Sequence, residues 1–123
     1  MVRVLLADDN ARFRSLLRRL LERDPQIQVV AEAGNGAEAL ELAGEHHPDV
    51  VLMDLSMPGV DGLEATFELK SRLPQVVVLM LSVADKEHEI NAALDGGASE
   101  FLSKGTPAAE IVAAIKRHGP ELD

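Results

Sequence analysis

A chain of 123 residues, 46% hydrophobic and without cysteine, is a single globular domain with neither a disulfide framework nor a thiolate metal site. Its formal charge of −9 argues against direct binding to nucleic acid, which needs clustered cations. No apolar run approaches the roughly 20 residues that span a bilayer and no secretory leader is evident, so no membrane contact and a cytoplasmic location are expected.

The first apolar run, Val4–Ala7, ends at Asp8-Asp9. It is continuous rather than alternating, as in a strand covered on both faces. A helix follows, with Phe13, Leu16, Leu17, Leu20 and Leu21 forming one apolar stripe. The same helix carries Arg12, Arg14, Arg18, Arg19 and Arg23, five of the twelve basic residues. They read either as a solvated face or as a docking surface for an acidic protein partner. Pro25 stops that helix before a second strand around Val29–Ala31. Gly34-Asn35-Gly36 has the look of a phosphate-loop fragment but lacks the remaining glycines, and reads as a turn.

A second helix ends near His46-His47, where its dipole favours cationic side chains, and Pro48 follows. The third run, Val50–Met53, ends at Asp54, and a further helix is closed by Pro74. Val76–Leu81 leads to Ser82, and the helix containing Ile90, Ala93 and Leu94 stops at Gly96-Gly97. A short run at Phe101–Leu102 leads to Lys104. Thr106 is placed to cap a last helix, with Pro107 at its first position and Ala108, Ile111, Val112 and Ile115 as its apolar stripe. Residues 1–118 form the domain, and 119–123 read as a tail or the start of a linker.

Strand and helix therefore alternate five times, the pattern of an α/β fold with right-handed crossovers and helices on both faces of a parallel sheet. Ligands in such sheets bind outside the carboxyl ends of the strands. Asp8, Asp9, Asp54, Ser82 and Lys104 all stand at such ends. Three neighbouring carboxylates repel one another by about 4 kcal/mol per close pair at an effective dielectric of ~20. Such a cluster takes up protons or binds a cation, and all-oxygen ligands favour Mg²⁺ over zinc or copper. The plainer reading is three solvated loop acids. His46, His47, His88 and His118 have no ligand spacing.

The stretches Leu6-Ala7-Asp8-Asp9, Met53-Asp54-Leu55-Ser56-Met57-Pro58-Gly59-Val60-Asp61-Gly62, Leu81-Ser82 and Gly97-Ala98-Ser99-Glu100-Phe101-Leu102-Ser103-Lys104 resemble the receiver domain of two-component response regulators. The likeness runs over essentially the whole chain. It is strongest to the subgroup with a C-terminal LuxR-type helix-turn-helix output domain.

The resemblance implies a flavodoxin-like (βα)5 domain with strand order 2-1-3-4-5. Asp54 would accept a phosphoryl group from the phosphohistidine of a sensor histidine kinase. Asp8, Asp9, Asp54 and the backbone carbonyl of Ser56 would hold Mg²⁺. Ser82 would bind the incoming phosphoryl group, Lys104 would neutralise one of its oxygens, and Phe101 would turn inward as a switch. The domain would not be an enzyme beyond its own phosphorylation and dephosphorylation. Phosphorylation could drive homodimerisation through the fourth helix, fifth strand and fifth helix, or through the first and fifth helices.

This sequence departs from the family pattern at several positions. Gly105 follows Lys104 where proline is common, Val83 is bulkier than the usual neighbour of the switch hydroxyl, and Phe101 has no phenolic hydroxyl. Ser56 and Ala84 stand where the family tunes dephosphorylation. The expected output is transcription regulation through a DNA-binding domain beyond this chain; the alternative is a stand-alone receiver acting by protein contact. A metal-dependent phosphatase is a further rival, but it wants an acid two residues after its nucleophile, where Ser56 stands. A flavin-binding module would find Asp8-Asp9 repelling its phosphate.

Overall fold

Five apolar segments, each too short to be a helix of its own kind and each bounded by proline, glycine or aspartate, become the strands of one sheet. The computed structural model describes residues 1–83 and 86–121. In chain order the elements are β1 (Val2–Ala7), α1 (Ala11–Leu21), β2 (Ile27–Ala33), α2 (Gly36–His46), β3 (Val50–Met53), α3 (Gly62–Arg72), β4 (Val77–Ser82), α4 (Glu87–Asp95), β5 (Glu100–Ser103) and α5 (Ala108–His118). All strand pairs are parallel, in the order β2-β1-β3-β4-β5. The expected architecture and strand order are both observed.

Alternate strand residues feed two apolar layers. Leu5, Val51, Met53, Val78 and Met80 pack against α2, α3 and α4 through Ala39, Ala43, Ala65, Leu69 and Ala93. Val4, Leu6, Leu52, Leu79 and Leu81 pack against α1 and α5 through Leu17, Leu21, Ile111 and Ile115. Burial on both faces explains why the strand segments are continuously apolar.

The strands reach beyond the apolar runs. β1 begins at Val2 and β2 spans Ile27–Ala33, because backbone pairing continues where side chains turn polar. Glu32 and Arg3 are half-buried members of the ladder.

Three helices start on a side chain that accepts a backbone N–H. Asn10 takes the Phe13 amide at 3.0 Å, Asn35 the Glu38 amide at 2.8 Å and Asp61 the Glu64 amide at 2.9 Å. Gly34-Asn35-Gly36 is thus a helix entrance as well as a turn, with Asn35 as its cap. At α5 the expected start shifts by one residue. Pro107 is itself the cap, extended at φ −57° and ψ 144°, and its carbonyl accepts the amides of Glu110 and Ile111. Thr106 stays outside the helix, its hydroxyl 3.4 Å from that of Ser103. His46 ends α2 and His47 caps it in the left-handed region at φ 47°. Gly97, at φ 115°, lets the chain leave α4 for β5. No helix among the described residues is long and apolar enough to cross a membrane.

Candidate functional site

The carboxyl edge of the sheet is held in register by backbone bonds that continue past the strand ends. The Asp8 amide donates to Ala33 O at 2.9 Å, the Asp54 amide to Ala7 O at 2.8 Å and the Lys104 amide to Ser82 O at 3.0 Å. The register pairs Ala7 with Met53, Met53 with Met80 and Ser82 with Ser103. β1 lies between β2 and β3, so the chain's turn of direction across the sheet opens a crevice beside Asp8 and Asp54.

The structure brings the acidic residues together. One oxygen from each of Asp8, Asp9 and Asp54 lies within 4.8 Å of the others. Asp8 and Asp54 are each 4% exposed, whereas Asp9 faces solvent. Lys104 reaches into the same place, its Nζ 2.6 Å from Asp8 Oδ2 and 3.2 Å from Asp54 Oδ2. The Asp8 carboxylate also accepts the Asn10 amide at 2.8 Å, and that of Asp54 accepts the Ser56 amide at 3.2 Å.

Burial, reinforced by the charge of Asp8, pushes the Asp54 carboxyl above the ordinary carboxylate range; Lys104 and the Ser56 amide pull the other way. Burial disfavours the Lys104 ammonium, yet its hydrogen bond to Asp8 and the charges of Asp54 and Asp8 outweigh this and raise it above an ordinary lysine. Three carboxylates facing one ammonium leave negative charge uncompensated. Hard oxygen donors on a partly open rim suit a small divalent cation that keeps some of its water, as Mg²⁺ does. Asp9 and Ser56 line that open side, together with Met57, Asp61 and Glu89.

Ser82 is fully buried as the last residue of β4. Val83, directly after it, is 76% exposed. Phe101 does not join the crevice. It is half-buried against the layer under α2, α3 and α4, paired in register with Met80 two residues before Ser82. Ala84 lies outside the described residues.

Four residues support the site in ways that the sequence did not show. The Arg14 guanidinium donates to the backbone carbonyl of Asp8 and pairs with Glu32 at 3.2 Å. Arg18 pairs with the same Glu32 at 2.9 Å. Arg14 and Arg18 thus turn toward β2, while Arg12 and Arg19 of α1 stay exposed; Arg23, expected in the same helix, lies in the turn beyond its end at Leu21 and is exposed too. The Phe13 ring lies beneath the Lys104 ammonium, 4.6 Å from its centroid. Gly62 sits so close to the loop after β3 that a Cβ there would stand 2.0 Å from Asp54 O. Only a glycine inside an otherwise good helix start hinted at the last of these.

A doubly wound parallel sheet with an acidic cluster and a lysine at its carboxyl edge defines a flavodoxin-like α/β domain with a candidate cation site. The model of the response regulator receiver domain matches residues 4–116, and the chain belongs to that family. It is 40% identical over 115 residues to the transcriptional regulatory protein DegU of Brevibacillus brevis, covering 94% of this chain and 49% of DegU. The chain thus spans about half the length of that relative. A LuxR-family two-component response regulator from Aurantimonas sp. SI85-9A1 superposes with a TM-score of 0.91 at 37% identity, over 95% of this chain and 84% of the other. A response regulator from Burkholderia pseudomallei, solved with a phosphorylated aspartic acid, a calcium ion and citrate, gives a TM-score of 0.85 at 30% identity, over 94% and 66% of the two chains.

Proposed function

We propose that this receiver is a phosphorylation-controlled switch in which Asp54 accepts a phosphoryl group from the phosphohistidine of a sensor kinase. The observation that carries the reading is the placement of Asp54, buried at the end of β3, beside two further carboxylates within 4.8 Å and the Lys104 ammonium at 3.2 Å. An Asp54 carboxylate oxygen attacks phosphorus, the P–N bond breaks, and the imidazole leaves with the electron pair and takes up a proton. Hydrolysis of the acyl phosphate by water later restores the carboxylate and releases phosphate.

Asp8, Asp9, Asp54 and the Ser56 carbonyl would hold Mg²⁺, which when bound offsets charge on the transferring phosphoryl oxygens. Lys104 supplies a second positive charge beside Asp8 and Asp54. It exchanges its carboxylate contacts for a phosphoryl oxygen. Ser82 then donates its hydroxyl to the phosphoryl group. Phe101 shares a sheet face with Ser82 through its pairing with Met80, and turns inward by packing alone.

The domain turns over no external substrate. Its relatives include a transcriptional regulator, which supports a DNA-binding output domain beyond this chain as the element controlled, in a cytoplasmic protein.

Labelling with acetyl phosphate and Mg²⁺, read by intact-protein mass spectrometry, should add one phosphoryl group. Asp54→Ala should abolish it, and chelation of divalent metal should stop labelling until Mg²⁺ is restored. Undiminished labelling of the Asp54→Ala protein would remove the assignment.

A further inference from the structure

Lys104 stands in the turn after β5, its amide bonded to Ser82 O at 3.0 Å. It follows β5 directly and precedes Gly105, where a Cβ would meet only Ser103 Oγ at 3.7 Å, so space does not demand the glycine. Glycine leaves the backbone beside Lys104 free to vary, and the lysine stem is itself flexible. Yet the side chain is only 17% exposed and its ammonium is placed between two carboxylates.

The third side of the ammonium is the Phe13 ring, 4.6 Å from its centroid. Phe13 belongs to the first turn of α1, where its amide is held by the Asn10 cap. The ring packs against the layer that contains Leu17 and Ile111. It also borders both the recess beside Asp8 and Asp54 and the groove between α1 and α5.

We infer that Phe13 is a positioning residue for Lys104, its ring face keeping the ammonium at the phosphoacceptor while the lysine changes anionic partners. The inference rests on the proposed role of Asp54 and deepens it. An aromatic face attracts a cation through its quadrupole without neutralising it. A carboxylate in the same place would compete with the phosphoryl oxygen for the ammonium. The ring does not, so the charge stays in place and available as Asp8 and Asp54 are exchanged for the incoming group.

The experiment compares Phe13→Leu and Phe13→Trp with the native chain. Labelling by acetyl phosphate at saturating Mg²⁺ should slow about two- to fivefold for Phe13→Leu, the rate equivalent of one partly exposed cation–π contact. Phe13→Trp should label at least as fast as the native protein. Phe13 acting as core filler only would give the reverse order, because leucine fits an apolar site more readily than tryptophan; that order overturns the inference.

A second readout needs no phosphorylation. In nuclear magnetic resonance spectra the Lys104 ε-methylene protons should show an upfield ring-current shift, lost in Phe13→Leu and kept in Phe13→Trp. Unshifted protons in the native chain would overturn the inference even if labelling proceeds. Ring-shifted protons in a native chain that does not label would overturn the Asp54 reading while the Phe13 contact stands.

Discussion

Gly62 shows how little room surrounds Asp54. A Cβ there would lie 2.0 Å from the Asp54 carbonyl oxygen and 2.8 Å from Leu55 Cα, both backbone atoms that cannot swing aside. The Gly62 amide meanwhile donates to Leu55 O at 3.0 Å, tying the start of α3 to the loop that carries Asp54. Gly62→Ala is therefore expected to destabilise the fold by about 1–3 kcal/mol, as overpacking generally does, and to slow labelling by displacing the Asp54 backbone. Urea denaturation and the acetyl phosphate assay check the two effects. Asp54 itself illustrates the opposite pressure. Its burial beside Asp8 disfavours its charge, and the site tolerates this only because Lys104 and the Ser56 amide face it.

Among the described residues, ion pairs to strand carboxylates tie both α1 and α5 to the sheet. Arg14 and Arg18 converge on Glu32 of β2, and Arg14 also supports the Asp8 carbonyl. At the far end, Glu100 of β5 receives Arg117 at 2.6 Å and His118 at 2.8 Å from the last turn of α5. Hydrogen bonds from Arg117 and then His118 hold the Glu100 carboxyl below its ordinary value of 4.5. A lowered folded value means stabilisation that is complete above the unfolded pKa and lost as pH falls through the folded one. Glu100→Gln should thus cost about 0.5 kcal/mol at neutral pH, the modest scale of a partly exposed pair. Its stability curve should converge with that of the native chain as the pH falls below the ordinary carboxylate range. Thermal melts across that range test this. The arginines of α1 were visible in the sequence as a basic helix. Which of them faced inward was not, because that depends on β2 pairing with β1 and presenting Glu32 to the same helix face.

On the scale of the molecule, the sheet separates α1 and α5 from α2, α3 and α4. The layer under α2, α3 and α4 includes Phe101, so movement of that ring would reach α4 and β5. Leu16, on the solvent side of α1, is 48% exposed. If phosphorylation drives self-association through either helical face, beryllofluoride with Mg²⁺ should convert monomer to dimer in light scattering. An unchanged monomer would count against it.

The local chain already determined the alternation of strand and helix, the helix-stopping prolines and the presence of Asp8, Asp9, Asp54, Ser82 and Lys104 at strand ends. Those features follow from short-range physics: apolar period, backbone restriction and the position of a residue just past a hydrophobic run. Only the tertiary structure decided which charges meet. Strand order and register place Lys104 against Asp8 and Asp54, set Phe13 beneath the lysine and bring Glu32 to Arg14 and Arg18. Each of these contacts joins residues of different elements, and their distances arise only when the parallel sheet has closed.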